Sequence, residues 1–240
     1  DPTIAALDAH GNIEVRLYNP FVQRGSRLAG YLTDFARLNR RMHNKSFTVD
    51  NQITVVGGRN IGDEYFGAGS GVVFADLDVA AVGPAVRDVS KQFDLYWNSA
   101  SAYPAAAFVA PAGTDAAARL TALFHATRAD KASVEYIETV RATPIVHDIL
   151  ARRLAFEWAT ARLVHDDPAK TLDTEGRVEL LLFPELLRML GRPEKSLDLI
   201  SPYFVPGDVG TAALAALAGR GVKVRVLTNS LAASDVAAVH

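Results

Sequence analysis

His43 and Lys45 stand two residues apart in the run His43-Asn44-Lys45-Ser46-Phe47-Thr48-Val49-Asp50, and Gly57-Gly58-Arg59-Asn60 follows after six more residues. On an extended chain, side chains at i and i+2 share a face, so the imidazole and the ammonium lie side by side. Asp50-Asn51-Gln52 is a turn-forming junction between the β-rich stretches 43–49 and 53–56. A hairpin reversing there lays positions 57 to 60 opposite 45 to 41 and carries Asn60 toward His43 and Lys45. The paired glycines let backbone approach a ligand closely. One base or nucleophile, one fixed cation and one amide donor then converge on a small volume. That set suits a phosphate or phosphodiester: Lys neutralises non-bridging oxygens, Asn donates to them, and a neutral His attacks phosphorus. A plain hairpin with His and Lys at its exposed end fits the same residues, because so short a pattern recurs by chance.

Composition narrows the chemistry further. Across 240 residues, 49% are apolar and 22% charged, the make-up of a globular protein with a substantial core. The formal charge of -2 supplies no global field that would draw the chain to nucleic acid or anionic lipid, so polyanion binding must be local. The chain has no cysteine, which excludes disulfides, Cys-ligated zinc and thiol nucleophiles. His10, His125, His147, His165 and His240 show no metal-ligand spacing, so no metal site is expected of them. No run approaches the ~20 apolar residues of a membrane span, and no signal peptide opens the sequence. It begins at Asp1 without Met, as a piece cut from a longer protein would.

The elements that must position the hairpin read as α/β. Ile13, Val15 and Leu17 alternate with charged residues as a strand before Asn19-Pro20, and a helix is expected over 27–40. The apolar run 74–82 reads as a strand ended by Gly83-Pro84. Pro84 opens a helix with Val86, Val89, Phe93 and Trp97 on one face. Residues 98–113 read as a loop, and 114–155 as helices with Asp115 and Ser133 as N-caps and Pro144 as a break. Then follow strand (156–164), loop (166–176), helix (178–190), strand (197–205), helix (211–218) and strand (222–227), which predicts a mixed sheet flanked by helices. Residues 12–19 and 221–228 match in their apolar positions, a weak internal repeat suggesting two copies of one α/β unit.

The sequence resembles the phospholipase D superfamily, whose signature is H-x-K-x4-D followed by G-[GS]-x-N, met here by His43, Lys45, Asp50, Gly57, Gly58 and Asn60. The likeness extends through HNKSFTVDNQ, GGRNIGDEYF, FADLDVAAVGPAV, the WNS at 97–99, DDPAK at 166–170 and SPYFVPG at 201–207. It is greatest for the bacterial cardiolipin synthase branch, particularly the type C enzymes. The resemblance implies that His43 is a nucleophile forming a phosphohistidine and that Lys45 and Asn60 hold the phosphoryl oxygens, with Gly57 and Gly58 beside them. Asp50, in the turn, is expected to be structural. A carboxylate some thirty residues past the His orients its ring in such enzymes; Asp76 is the match, with Asp78 on the same strand face as the alternative. Asp63 and Glu64 either cap the segment after Asn60, the reading preferred here, or touch an alcohol acceptor, and Asp166 to Lys170 are expected to form a turn.

The family site uses two such motifs, one per lobe, and only one stands here. Laying Asn19 on Thr228 puts the counterpart of His43 at about residue 252, past His240, and the counterpart of 156–209 before Asp1. The expected division is a first lobe over 1–155, with a helical insertion at about 114–155, and an incomplete second lobe over 156–240. The implied function is transfer of a phosphatidyl group to make cardiolipin at a bacterial membrane surface. The resemblance implies phosphatidylglycerol as substrate with phosphatidylethanolamine as a further candidate, no metal or organic cofactor, and the missing lobe of the same chain as a partner. The 240 residues alone are expected to be inactive. Rival readings are a nuclease of the same superfamily, disfavoured by the near-neutral charge, and a non-catalytic module binding a lipid head group or a partner.

Overall fold

The computed structural model describes residues 2–21, 37–67 and 73–230. Two successive residues with positive φ, Asp50 (51°) and Asn51 (53°), fold the chain back, and Gln52 N–H donates to the Val49 carbonyl at 2.9 Å. Asp and Asn tolerate that conformation best after glycine, and a turn with two such residues matches the twist of the strands it joins. It pairs β2 (Ser46–Val49) antiparallel with β3 (Ile53–Gly57), and β3 pairs antiparallel with β4 (Asp78–Val82). The expected hairpin is thus present; regular pairing starts at Ser46, with one further bond from Gly57 N–H to the Lys45 carbonyl at 3.3 Å.

One face of this sheet is covered by α3 (Pro84–Trp97), with Pro84 in its first turn as expected. Thr48 and Thr54 are cross-strand partners whose hydroxyls bond at 2.8 Å, with Thr54 1% exposed. Val86 is fully buried and Val89 4% exposed, but the buried row continues through Gln92 and Tyr96 rather than Phe93 and Trp97. The helix is turned because the Tyr96 hydroxyl reaches the Asp166 carbonyl at 3.0 Å. Phe93 and Trp97 stack on each other instead at 5.4 Å, and the Arg16 guanidinium lies over Trp97.

β1 (Arg16–Tyr18) follows α1 (Pro2–Asp8) and pairs antiparallel with β5 (Ala102–Pro104), which corrects the expectation of a loop throughout 98–113. A short 3-10 turn, Ala105–Ala107, continues it. The pairing is tertiary: Arg16 donates to the Trp97 carbonyl at 2.7 Å and Asn19 N–H to Ser101 at 2.7 Å, partners that an Ala/Pro/Ser-rich composition does not signal. Between β3 and β4 lies the four-residue α2 (Asp63–Phe66). The helices expected over 114–155 form as α4 (Ala116–Ala129), α5 (Lys131–Arg141) and α6 (Pro144–Leu150). Asp130, not Ser133, caps α5: its carboxylate accepts the Ser133 N–H at 3.0 Å. Pro144 starts α6. The strand expected over 156–164 does not form; without a neighbour to pair with, the run stays irregular and Phe156 and Trp158 are exposed. Most of the helix expected over 27–40 lies outside the described residues.

Contacts divide the chain into Asp1–Leu182 and Phe183–His240. α7 (Leu182–Leu190) spans that division, after a 3-10 turn at Val178–Leu180 where one helix was expected. The second unit contains β6 (Ser196–Ile200) and β7 (Lys223–Leu227), parallel and joined through α8 (Gly207–Gly219), a βαβ unit as the pattern predicts. Arg225 grips its cross-strand partner Asp198 with two hydrogen bonds, of 2.6 and 2.5 Å. The architecture is mixed helix and sheet, but among the described residues the strands form three small sheets rather than one. Of the two segments matched as a repeat, 12–19 is strand only over Arg16–Tyr18, in an antiparallel pair, and 221–228 over Lys223–Leu227, in a parallel one, so Ile13 and Val15 lie before the strand expected to contain them. Among the described residues no helix is long and apolar enough to cross a membrane.

Candidate active site

The hairpin sets where each signature residue stands. His43 and Lys45 enter β2 at the end opposite the turn, and the Lys45 ammonium donates to the His43 carbonyl at 2.9 Å. Asp50 sits in the turn itself, a strand length away, and its backbone conformation is what it supplies there. His43 is exposed. Partial desolvation, together with Lys45, Arg41 and Lys170, pushes its pKa below the ordinary 6.5, with Asp166 pulling the other way. A depressed pKa keeps more of the ring neutral near pH 7, the form that can act as a nucleophile or base.

Gly57 and Gly58 have a steric reason. A Cβ on Gly57 would lie 1.8 Å from Asp78 Oδ1, and one on Gly58 2.1 Å from Asp76 Oδ1, so both carboxylates rest against bare backbone. Their partners differ. Asp78 accepts from Arg59 Nε at 2.7 Å, and Arg59 also donates to the Tyr65 carbonyl and lies over the Phe66 ring, clamping β4 to α2. Asp76 has no ion-pair partner among the described residues and makes no hydrogen bond to His43. Asn60 donates to the Tyr65 hydroxyl at 2.7 Å, and Tyr65 packs edge-on to Phe74. Asp63 and Glu64 occupy the first turn of α2 without a side-chain capping bond. The structure therefore brings together His43 and Lys45, sets Asp78 at the start of β4 and Asp76 two residues before it, both against the Gly57-Gly58 backbone, and ties Asn60 to Tyr65 of α2.

Sequence reasoning missed the groups approaching from the far end of the first unit. A 3-10 turn, Pro168–Thr171, packs where Tyr18 and Tyr96 meet at 5.1 Å between ring centres. Tyr18 donates to the Pro168 carbonyl at 3.0 Å and bonds Thr171 at 2.6 Å, and burial pushes the phenols of both tyrosines up. Arg40 donates to the carbonyls of Lys170 and Asp173. The signal available in the sequence was the DDPAK run, which carries Asp166 and Lys170.

Asp173 closes this loop. Its carboxylate, 5% exposed, accepts from Arg177 Nε at 2.9 Å and from Arg177 N–H at 2.8 Å, and these bonds hold its pKa down at about 2. A depressed carboxyl stabilises the fold above its unfolded pKa, and that contribution is lost as pH falls through the folded value. Asp173→Asn is therefore expected to lower the melting temperature near neutrality, and the gap from wild type should close as pH falls from 3.8 to about 2. A gap that stays constant across that range would contradict this.

Comparison with known proteins agrees with the signature. No protein-family model matches the chain, and no solved structure does. The chain is 46% identical over its whole length to cardiolipin synthase C of Escherichia coli, covering 50% of that protein. It is 27% identical to cardiolipin synthase A of Pseudomonas aeruginosa over 87% of the chain and 34% of the relative. With cardiolipin synthase 1 of Staphylococcus aureus it shares 33% over 39% of the chain and 20% of the relative. The chain thus spans about half the length of cardiolipin synthase C and less of the other two. An identity of 46% is sustained from end to end, in a chain carrying His43, Lys45, Asp50, Gly57, Gly58 and Asn60 in register with the signature, so that the whole of this chain is similar to half of a cardiolipin synthase.

Proposed function

We propose that this chain is the part of a cardiolipin synthase that carries the nucleophile, and that the nucleophile is His43. The observation that carries the reading is the end-to-end identity with cardiolipin synthase C. The His43 ring nitrogen attacks the phosphorus of a phosphatidyl donor, a P–N bond forms, and the bond to the departing alcohol breaks as that alcohol takes a proton. A glycerol hydroxyl of a second phospholipid then attacks phosphorus, the P–N bond breaks, and the hydroxyl proton passes to a base. Lys45 neutralises the non-bridging oxygens, and Asn60 turns from Tyr65 to donate to them. Asp76 orients the ring, as the carboxylate of a triad does. Phosphatidylglycerol is the donor class, with phosphatidylethanolamine as a second substrate, and the enzyme works at a bacterial membrane surface. A second H-x-K-x4-D motif in a second lobe supplies the acid for the leaving alcohol. In this reading the lobes divide near residue 155, and 1–240 alone does not turn over.

The test uses the protein at native length with phosphatidylglycerol vesicles, with and without phosphatidylethanolamine, and single-stranded DNA in a parallel reaction. Cardiolipin from the vesicles and intact DNA are expected. Cleaved DNA without cardiolipin would move the chain to the nuclease reading. In the same assay Lys45→Ala is expected to lower kcat about 10²- to 10³-fold. Lys45→Arg should recover little, because a planar guanidinium places its charge differently from a compact ammonium. An Arg variant near the wild-type rate would show that Lys45 supplies only a general field.

A further inference from the structure

The run Asp166-Asp167-Pro168-Ala169-Lys170 has no part in the reaction described above, yet more is built around it than a turn requires. The turn itself needs Asp167, whose carboxylate accepts the Ala169 N–H at 2.8 Å, and Pro168 in the first position. It does not need a buried lysine. Lys170 nevertheless has a side chain only 11% exposed, ion-paired with Asp166, whose side chain is 24% exposed. Lysine is rarely buried unless paired, and Asp166 is itself held by the Leu182 N–H. The backbone of the run is gripped on the side of the His43 hairpin. Tyr96, beside the Asn44 side chain, donates to the Asp166 carbonyl at 3.0 Å, and Tyr18 to that of Pro168 at 3.0 Å. Arg40, three residues before His43, donates to the Lys170 carbonyl at 2.9 Å. The charged groups acting on His43 are Arg41 and Lys45 from its own segment and Lys170 and Asp166 from this turn.

We propose that Asp166 and Lys170 are a positioning pair for His43: the ammonium keeps the imidazole neutral and able to attack, while the carboxylate anchors that ammonium and limits its field. Arg41 and Lys45, in the segment leading into β2, already bias the ring, so a third cation from a distant turn makes the nucleophile depend on that turn being docked. Ion-paired with Asp166 and largely withdrawn from solvent, Lys170 is held in place as a flexible surface lysine would not be. The inference rests on reading His43 as the nucleophile, but its test requires no turnover.

Histidine labelled with carbon-13 at Cε1 is incorporated into the 240-residue chain, the His43 resonance is assigned by its loss in His43→Asn, and its titration is followed by NMR without substrate. Lys170→Met is expected to move the His43 midpoint to higher pH, since a repelling cation is gone. Lys170→Arg should hold it near the wild-type position, and Asp166→Asn should move it to lower pH, since an attracting carboxylate is gone. Opposite shifts from the two partners are the signature of a direct field, because mere loosening of the turn would move both variants the same way, toward an exposed histidine. Shifts of the same sign, or none in Asp166→Asn, would overturn the pairing. Should Lys170→Met fail to fold, the Asp166→Asn titration decides alone. Failure of the full-length enzyme to make cardiolipin would leave these titrations as they are, so the two readings fail separately.

Discussion

In the protein of native length, His43→Ala is expected to lower the rate of phosphatidyl transfer by at least about 10⁴-fold, the scale on which loss of a covalent nucleophile is felt. The fold should survive the change. The His43 side chain makes no hydrogen bond among the described residues and is exposed, while the hairpin is held by the Thr48–Thr54 pair, the Asp50-Asn51 turn and the packing of α3. Substitutions at such positions shift stability by only about 0.5 kcal/mol. Rate and melting temperature measured on the same sample separate the two effects. A variant that melts as wild type and still transfers phosphatidyl groups within tenfold of its rate would remove His43 from the chemistry.

Asp76→Asn is expected to cost about 10²- to 10⁴-fold in kcat with the melting temperature unchanged, because an amide stabilises the wrong imidazole tautomer and does not balance charge developing on the ring. Asp78→Asn should behave in the opposite way. Asp78 is committed to Arg59 at 2.7 Å, and Arg59 in turn holds the Tyr65 carbonyl and covers Phe66, so its loss loosens the clamp between β4 and α2 and lowers the melting temperature more than the rate. The contrast follows from geometry: both carboxylates rest on glycine backbone, but only Asp76 is left without an ion-pair partner among the described residues. Equal activity losses at equal melting temperatures would mean that the orienting carboxylate lies elsewhere.

The hairpin was legible in the sequence because everything that makes it is local: β-rich stretches on both sides of Asp-Asn and a glycine pair where two side chains must pass. Pro84 announced α3 for the same reason, but the rotation of that helix was not legible. Val86 and Val89 fit either face, and what chose Tyr96 over Phe93 and Trp97 was a hydroxyl finding a carbonyl seventy residues away. The same distance in sequence hid the DDPAK turn, whose own residues show only a cap and a proline. The run at 156–164 misled in the other direction: apolar residues supplied strand propensity, but a strand exists only where another lies beside it. Arg59 went unread because nothing in GGRN tells which aspartate it will meet.

The central claim is that His43 carries the phosphatidyl group. Protein of native length is mixed with phosphatidylglycerol labelled with phosphorus-32 and quenched in alkali, where phosphohistidine persists. It is then digested, and the label is traced to a peptide. The account predicts label on the peptide containing His43, chased into cardiolipin when unlabelled phosphatidylglycerol is added before the quench. Label on any other histidine, or steady cardiolipin formation with no labelled peptide, would contradict it.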